Sequence, residues 1–311
     1  MNNDNRNITI LLIFVSTFGF AIQDTIVKIL ASSGSLWQLM LLRAFLVIII
    51  LLIWSITRGR VYDVIPKGWF WPILRGIFMS CAYTFFYASL PFVSLSKAAT
   101  CFFTAPIFAC IFAAYILKET IGWKRISAVC IGFLGVLLII QPGTENMNFV
   151  LILPLLAGIS YSLAVIITRG FCRTQPSLSL TFSHNCFYAC LGFLMVTMLP
   201  ILPFSDALEE SNKFFFTGWV PLTKEILVLI GATSFTHIIA MTATIRAYQT
   251  SETSFVAPLE YFYLIFAWLI DYFLWQALPE LFVTFGIILV ASSGIIISIR
   301  ENLSERRDSK G

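Results

Sequence analysis

Apolar runs about as long as a bilayer is thick recur along this chain, parted by short polar turns. They fall at residues 8–31, 36–57, 70–90, 97–117, 122–140, 149–170, 178–202, 225–248, 253–275 and 279–299. A helix needs roughly 20 predominantly apolar residues to cross the hydrocarbon. The runs are continuous rather than alternating, and a continuous run in lipid must be helical because no water is there to bond its backbone. The pattern predicts an all-α polytopic membrane protein with ten transmembrane helices.

A longer period lies over the first. Residues 87–141 hold two runs joined by a charged turn from Lys118 to Arg125, and residues 247–298 repeat this unit in degenerate form. In both copies an Ala-Pro pair sits inside the first run, which makes Pro106 and Pro258 candidate helix breaks. Each half, 1–147 and 148–311, holds five of the predicted helices. An odd number forces the second copy to enter the membrane from the opposite face, so the expectation is two inverted five-helix repeats. A long stretch between Pro203 and Glu225 reads as an outer loop, and a short polar tail starts at about residue 300.

Composition sharpens this reading. The chain is 59% hydrophobic and 12% charged, where a soluble domain carries about a quarter charged residues. The net charge of +4 does not point to nucleic acid, because the cations flank the runs. With the N-terminus inside, Arg58, Arg60, Lys118, Lys124, Arg125, Arg169, Arg173 and Arg246 collect on one side with the basic tail. The other side has only Lys97, Lys213 and Lys224. Excess positive charge marks the cytoplasmic side, so both termini are expected in the cytoplasm of a cell bounded by this membrane, a bacterial inner (plasma) membrane. Asp24 and Lys28 interrupt the first run and no small-residue cleavage site follows it, so it reads as a retained helix rather than a signal peptide. The seven Cys lack metal-ligand spacing and read as reduced packing residues, with no metal or cofactor implied.

The stretch FTAP–x12–E–x2–GW–x8–GFLGVLLI from Phe103 to Ile139, with AYxxSxxSFVAPLEY from Ala247 to Tyr261, resembles the EamA-type drug/metabolite transporter superfamily. The likeness runs along essentially the whole chain. It implies a ten-helix bundle of two inverted repeats around a central cavity. It also implies transport of a small organic solute: an amino acid, a vitamin such as riboflavin, or a nucleoside derivative such as S-adenosylmethionine. This chain departs from the pattern before its last helix, where Gln276-Ala277 stands in place of the family's common Gly-Glu.

Ionisable groups inside spans are costly and point to function by default. Asp24 on the first helix and Arg43 on the second both fall about 6 Å outward of the midplane, at 1.5 Å rise per residue. A direct Asp24–Arg43 pair is therefore expected, with Lys28 one turn along able to share Asp24. Such a cluster would bind substrate, gate the outer mouth, or lock the two helices together. Glu260 lies about 6 Å to the inner side of the ninth helix, where it must see water, substrate or a cation such as Arg75 or Arg246. Asp271 is shallower and reads as structural or solvated.

His237, near the middle of the eighth helix, fits either proton coupling or a buried imidazole bonded to a neighbour. Gln23 and Asn185 are polar cavity candidates, since an unpartnered amide in lipid is costly. Tyr83, Phe103, Tyr161 and Tyr261 are aromatic candidates for a cavity wall, against the alternative that most such rings face lipid. Trp69 and Trp71 read as interface anchors. Small residues at Ala128/Gly132 and Gly294/Ser298 permit close helix packing, within the bundle or in a homodimer.

The chain has no GxxxxGK[ST] loop for ATP, and no HExxH or GxSxG for an intramembrane hydrolase. The reading is a secondary transporter by alternating access, with a lipid bilayer and a small organic solute as partners. An intramembrane enzyme acting on a lipid or lipid-linked substrate is the alternative.

Overall fold

The computed structural model describes residues 3–118, 123–140, 148–202, 210, 212–251, 256, 259–276, 281–282, 284–289 and 292. Among these the chain is helical throughout, without a strand. The helices are α1 (Asn3–Leu30), α2 (Leu36–Thr57), α3 (Phe70–Ser89), α4 (Leu95–Phe102), α5 (Ala105–Ile116), α6 (Trp123–Ile140), α7 (Ile152–Phe171), α8 (Ser177–Met198), the single turn α9 (Lys213–Phe216), α10 (Lys224–Thr250) and α11 (Phe262–Trp275).

Among the described residues six stretches are long and apolar enough to cross a membrane: Asn7–Leu30, Leu36–Thr57, Leu95–Ile116, Phe149–Phe171, Ser177–Ile201 and Lys224–Thr250. The shorter Phe262–Trp275 is also apolar. Helix α3 is not among the six, because Arg75, Ser80 and Thr84 dilute it. Most of the last predicted run, with the tail and Pro258, lies outside the described residues, as does the expected repeat boundary at 141–147.

Local chemistry sets the helix ends. Ser35, Ser94 and Thr223 each accept a backbone N–H from the first turn of α2, α4 and α10, meeting donors that have no partner within the helix. At the other end of α2, Gly59 takes a left-handed φ of 63°, and Arg60 N–H bonds back to Ser55 O at 2.9 Å. This is the glycine-terminated C-cap that lets a helix stop abruptly.

The helices pair in a regular way: α1 packs along α10, α3 along α7, and α2 along α8. The outward faces are apolar, with Leu11, Phe45, Phe193 and Val228 exposed. The centre holds an unusual load of buried polar side chains, including Asp24, Arg43, Arg75, His184, Asn185, His237 and Glu260. That inversion is expected where lipid replaces water outside and a solute path runs inside.

The predicted helix at 97–117 is broken into α4 and α5 at Phe103-Thr104. Pro106 explains the break, since it stands in the first turn of α5 and offers no N–H to the Phe102 carbonyl. Gly158 of α7 packs on this break. A Cβ there would stand 2.5 Å from Phe102 O and 3.3 Å from Ala105 N, both backbone atoms with no room to yield. Gly158→Ala is therefore expected to push α7 off the break and cost about 1–3 kcal/mol. A lowered melting temperature of the purified protein in detergent is the readout, and an unchanged melting curve would refute it.

The described part of the stretch after Pro203, from residue 212 on, does not run free. The Trp37 indole donates to Phe215 O at 2.6 Å and Ser35 Oγ to Thr217 O at 2.6 Å. Gln38 exchanges two bonds with the Val220 backbone. These contacts strap residues 212–220 over the start of α2.

Candidate functional site

One cavity, with an empty volume of about 590 Å³ counted to its open end, lies between α1, α3, the α4–α5 break, α7 and the start of α11. Its wall is assembled from helical stripes. Ser16, Thr17, Phe20 and Asp24 follow each other along α1, and Met79, Ala82, Tyr83 and Phe86 along α3, at the i, i+3, i+4 and i+7 spacings of one helix face. Phe102, Phe103, Tyr161 and Tyr263 add rings, and Glu260 the second carboxylate. The wall is therefore largely aromatic and carries Asp24 and Glu260, with no cationic side chain in it.

Asp24 is held by hydroxyls and an amide. Its Oδ1 accepts from Tyr87 OH at 2.9 Å and Gln23 Nε2 at 3.4 Å, and its Oδ2 from Tyr263 OH at 2.7 Å. The expected direct pair with Arg43 is not formed. Arg43 Nη1 donates to the Tyr87 hydroxyl at 3.3 Å, so the phenol stands between the two charges. Matched depth on α1 and α2 was the correct signal, but α3 inserts Tyr87 where the two side chains would meet.

Glu260 sits in a turn just before α11, and its Oε1 accepts from Tyr161 OH at 2.5 Å. Neither Arg75 nor Arg246 reaches it. Arg246 is exposed. Arg75 is buried and donates to Thr168 Oγ1 at 2.7 Å, to Leu180 O at 3.4 Å and to Met241 Sδ at 3.7 Å. Tyr261 turns away from the cavity and gives its hydroxyl to Phe103 O at 3.3 Å. That carbonyl is free because Ile107 N–H bonds Thr104 O instead.

Gln23, His237 and Asn185 form a chain behind the wall. His237 Nδ1 lies 3.1 Å from Gln23 Oε1, and its Nε2 lies 3.5 Å from the Asn185 amide nitrogen. Since the Gln23 amide nitrogen donates to Tyr87 at 2.6 Å, its oxygen accepts, and the imidazole Nδ1 is the donor there. His237 thus has the arrangement of an imidazole bonded to neighbours, and neither amide lines the cavity.

Lys28 does not share Asp24 either. It pairs with Asp271 at 3.4 Å and lies 4.4 Å over the Trp275 ring. Asp271 is buried rather than solvated, and its Oδ2 accepts the Ser96 backbone N–H at 2.7 Å. A carboxylate at the start of α4 complements the partial positive charge of that helix end. Trp69 is exposed in the manner of an interface anchor, whereas Trp71 stacks on Phe171 with 3.9 Å between ring centroids.

Of the residues singled out from the sequence, the structure brings Asp24, Tyr83, Phe103, Tyr161 and Glu260 to one cavity. It places Gln23, Arg43 and His237 in the layer behind, and Lys28 at the ends of α1 and α11. The sequence reading missed Tyr263 as a donor to Asp24, and the α1 stripe of Ser16, Thr17 and Phe20. The stripe had a signal: its members stand one and two turns before Asp24, on the same face.

Comparison with known proteins follows the same line. Residues 7–141 match the model of the EamA-like transporter family. The S-adenosylmethionine uptake transporter of Rickettsia prowazekii is 24% identical over 292 residues, 93% of this chain and 92% of that protein. An uncharacterized transporter of Helicobacter pylori strain J99 is 24% identical over 94% of this chain and 95% of its own length. The riboflavin transporter of Vibrio cholerae is 29% identical over 51% of this chain and 47% of its own. A solved crystal structure superposes with a TM-score of 0.65 at 14% identity, covering 98% of this chain and 100% of that one, so the fold is shared. With apolar spans and buried charges around a cavity, this chain is an integral membrane protein whose residues 7–141 are similar to the EamA-like transporter family and whose relatives along its length are named transporters.

Proposed function

We propose that the chain is a secondary transporter that carries a small organic metabolite by alternating access. In this reading ten helices form two inverted five-helix repeats, 1–147 and 148–311, in a bacterial inner membrane with both termini cytoplasmic. Helix pairing supports the repeats. Exchanging the first and third helices of one half for those of the other turns the α1–α10 contact into the α7–α3 contact and leaves α2–α8 unchanged. A twofold axis in the membrane plane requires this of its contacts.

The observation that carries the substrate class is the wall itself: two carboxylates among seven aromatic rings, with no cation among them. Carboxylates and ring faces both attract a positive charge, and rings also stack on a planar group. The solute is thus a planar ring joined to a cationic centre. S-adenosylmethionine, with an adenine and a sulfonium, has that form, and the Rickettsia relatives carry that name. Riboflavin shares the planar ring alone, and it names two of the more distant relatives.

Proteoliposomes holding the purified protein test the reading. Saturable uptake of labelled S-adenosylmethionine, not competed by riboflavin, is the expected result. Riboflavin uptake without S-adenosylmethionine uptake would overturn the cationic class, and an electrically inert uncharged solute would replace it.

A further inference from the structure

Behind Tyr83 lies a second polar group that the cavity wall does not use. Arg43 is fully buried, and among the described residues its guanidinium makes one well-formed hydrogen bond, from Nη1 to Tyr87 OH. Its Nε and Nη2 meet no acceptor at hydrogen-bond geometry among those residues. The guanidinium carbon lies 4.8 Å from the Tyr188 ring centroid and 5.1 Å from that of Tyr83, so aromatic faces hold it in place without consuming its donors.

A buried cation with two unused donors is rare, because leaving them unmet costs free energy that folding does not recover. Nε and Nη2 form one edge of the guanidinium fork, and that edge matches both oxygens of a carboxylate in parallel bonds. Tyr83 borders the cavity on one side and Arg43 on the other. The Tyr83 ring, with Tyr87 beside it, stands between the guanidinium and the solute path.

We propose that Arg43 is the anchor of a carboxylate subsite opening off the cavity past Tyr83, and that the transported solute is a zwitterion carrying an α-amino acid group. The inference rests on the cavity being the substrate site, and it deepens that reading. The ring and the cationic centre lie against the aromatic wall, Asp24 and Glu260, while the carboxylate displaces Tyr83 and pairs with the free edge. The Tyr83 side chain then acts as the door of the subsite. Asn185 Oδ1, also buried and without a partner, belongs to the same layer through its contact with His237.

Binding of S-adenosylmethionine and of its decarboxylated analogue to the purified, full-length protein tests this. Both have the adenine and the sulfonium, and only the first has the carboxylate. The wild type is expected to prefer S-adenosylmethionine by about 10- to 100-fold, the range of a charged hydrogen-bonded contact. In Arg43→Gln that ratio collapses toward one, and Arg43→Lys recovers part of it. Equal affinities in the wild type overturn the carboxylate subsite while leaving the cationic substrate class standing. Arg43→Gln weakening both ligands by the same factor also overturns it, since a structural Arg43 would do that. If Arg43→Gln does not fold, the wild-type ratio decides alone. A wild type that binds neither ligand overturns the substrate class and this subsite together.

Discussion

Glu260→Gln is expected to lower the initial rate of uptake of the proposed solute, S-adenosylmethionine, by about 30- to 100-fold, with the protein still inserted and monodisperse. Glutamine keeps the shape of the side chain and an oxygen that accepts from Tyr161, so the turn before α11 holds. What is lost is the charge. Glu260 is 6% exposed, and no cation among the described residues pairs with it, so its negative charge is available to the solute. A charged contact of that kind is worth about 1.5–3 kcal/mol more than none, and each 1.4 kcal/mol is tenfold. Tyr161→Phe removes a positioning hydroxyl and not the charge, so a smaller loss is expected there. Wild-type uptake by Glu260→Gln, per inserted molecule, would reduce this carboxylate to packing.

Asp24→Asn is expected to damage both transport and stability. Three donors converge on this carboxylate, and an amide can accept at only one of its two positions. One of the tyrosines then faces an NH2 group. Arg43, linked to Asp24 through Tyr87, also loses the one carboxylate in its network. A buried charge left without a counter-charge destabilises on the order of 3 kcal/mol, which a fall in the detergent melting temperature reads directly. The exchange Asp24→Arg with Arg43→Asp should not restore transport, because Tyr87 and Tyr263 are placed to donate to an acid on α1. Full recovery in the exchanged protein would mean that the two charges meet directly and that Tyr87 is incidental.

Depth along a helix was readable from the sequence, and partner choice was not. Spacing and rise placed Asp24 and Arg43 at one level and Glu260 at another, and both carboxylates do line the cavity. Which group fills the space between two side chains depends on a third helix, so Tyr87 between Asp24 and Arg43 could not be deduced from residues 24 and 43. The same limit explains Lys28. Its i, i+4 neighbour was visible, but Asp271 lies more than 240 residues away and arrives only when α11 packs against α1. Proline marked the break at Phe103-Thr104 well, because a missing N–H acts locally. The cavity walls on α1 and α3 were legible as stripes, and became cavity rather than lipid face only once the packing of α7 and α11 was known.

The break between α4 and α5 has a consequence for how the chain is made. The Phe103 carbonyl that the break sets free is met by Tyr261, and the Ala105 carbonyl accepts from Ser162 Oγ at 2.7 Å. Asp24 likewise waits for Tyr263, and the Ser96 N–H for Asp271. All four debts of the first 147 residues are settled by residues translated afterwards. An exposed carbonyl in hydrocarbon costs several kcal/mol, so the nascent first half has to stay beside water or the insertion machinery until α7 and α11 emerge. Synthesis order and membrane entry are in this way tied together: the first half cannot be released to lipid as a finished body, and the ribosome must reach Tyr261 before the break between α4 and α5 is closed.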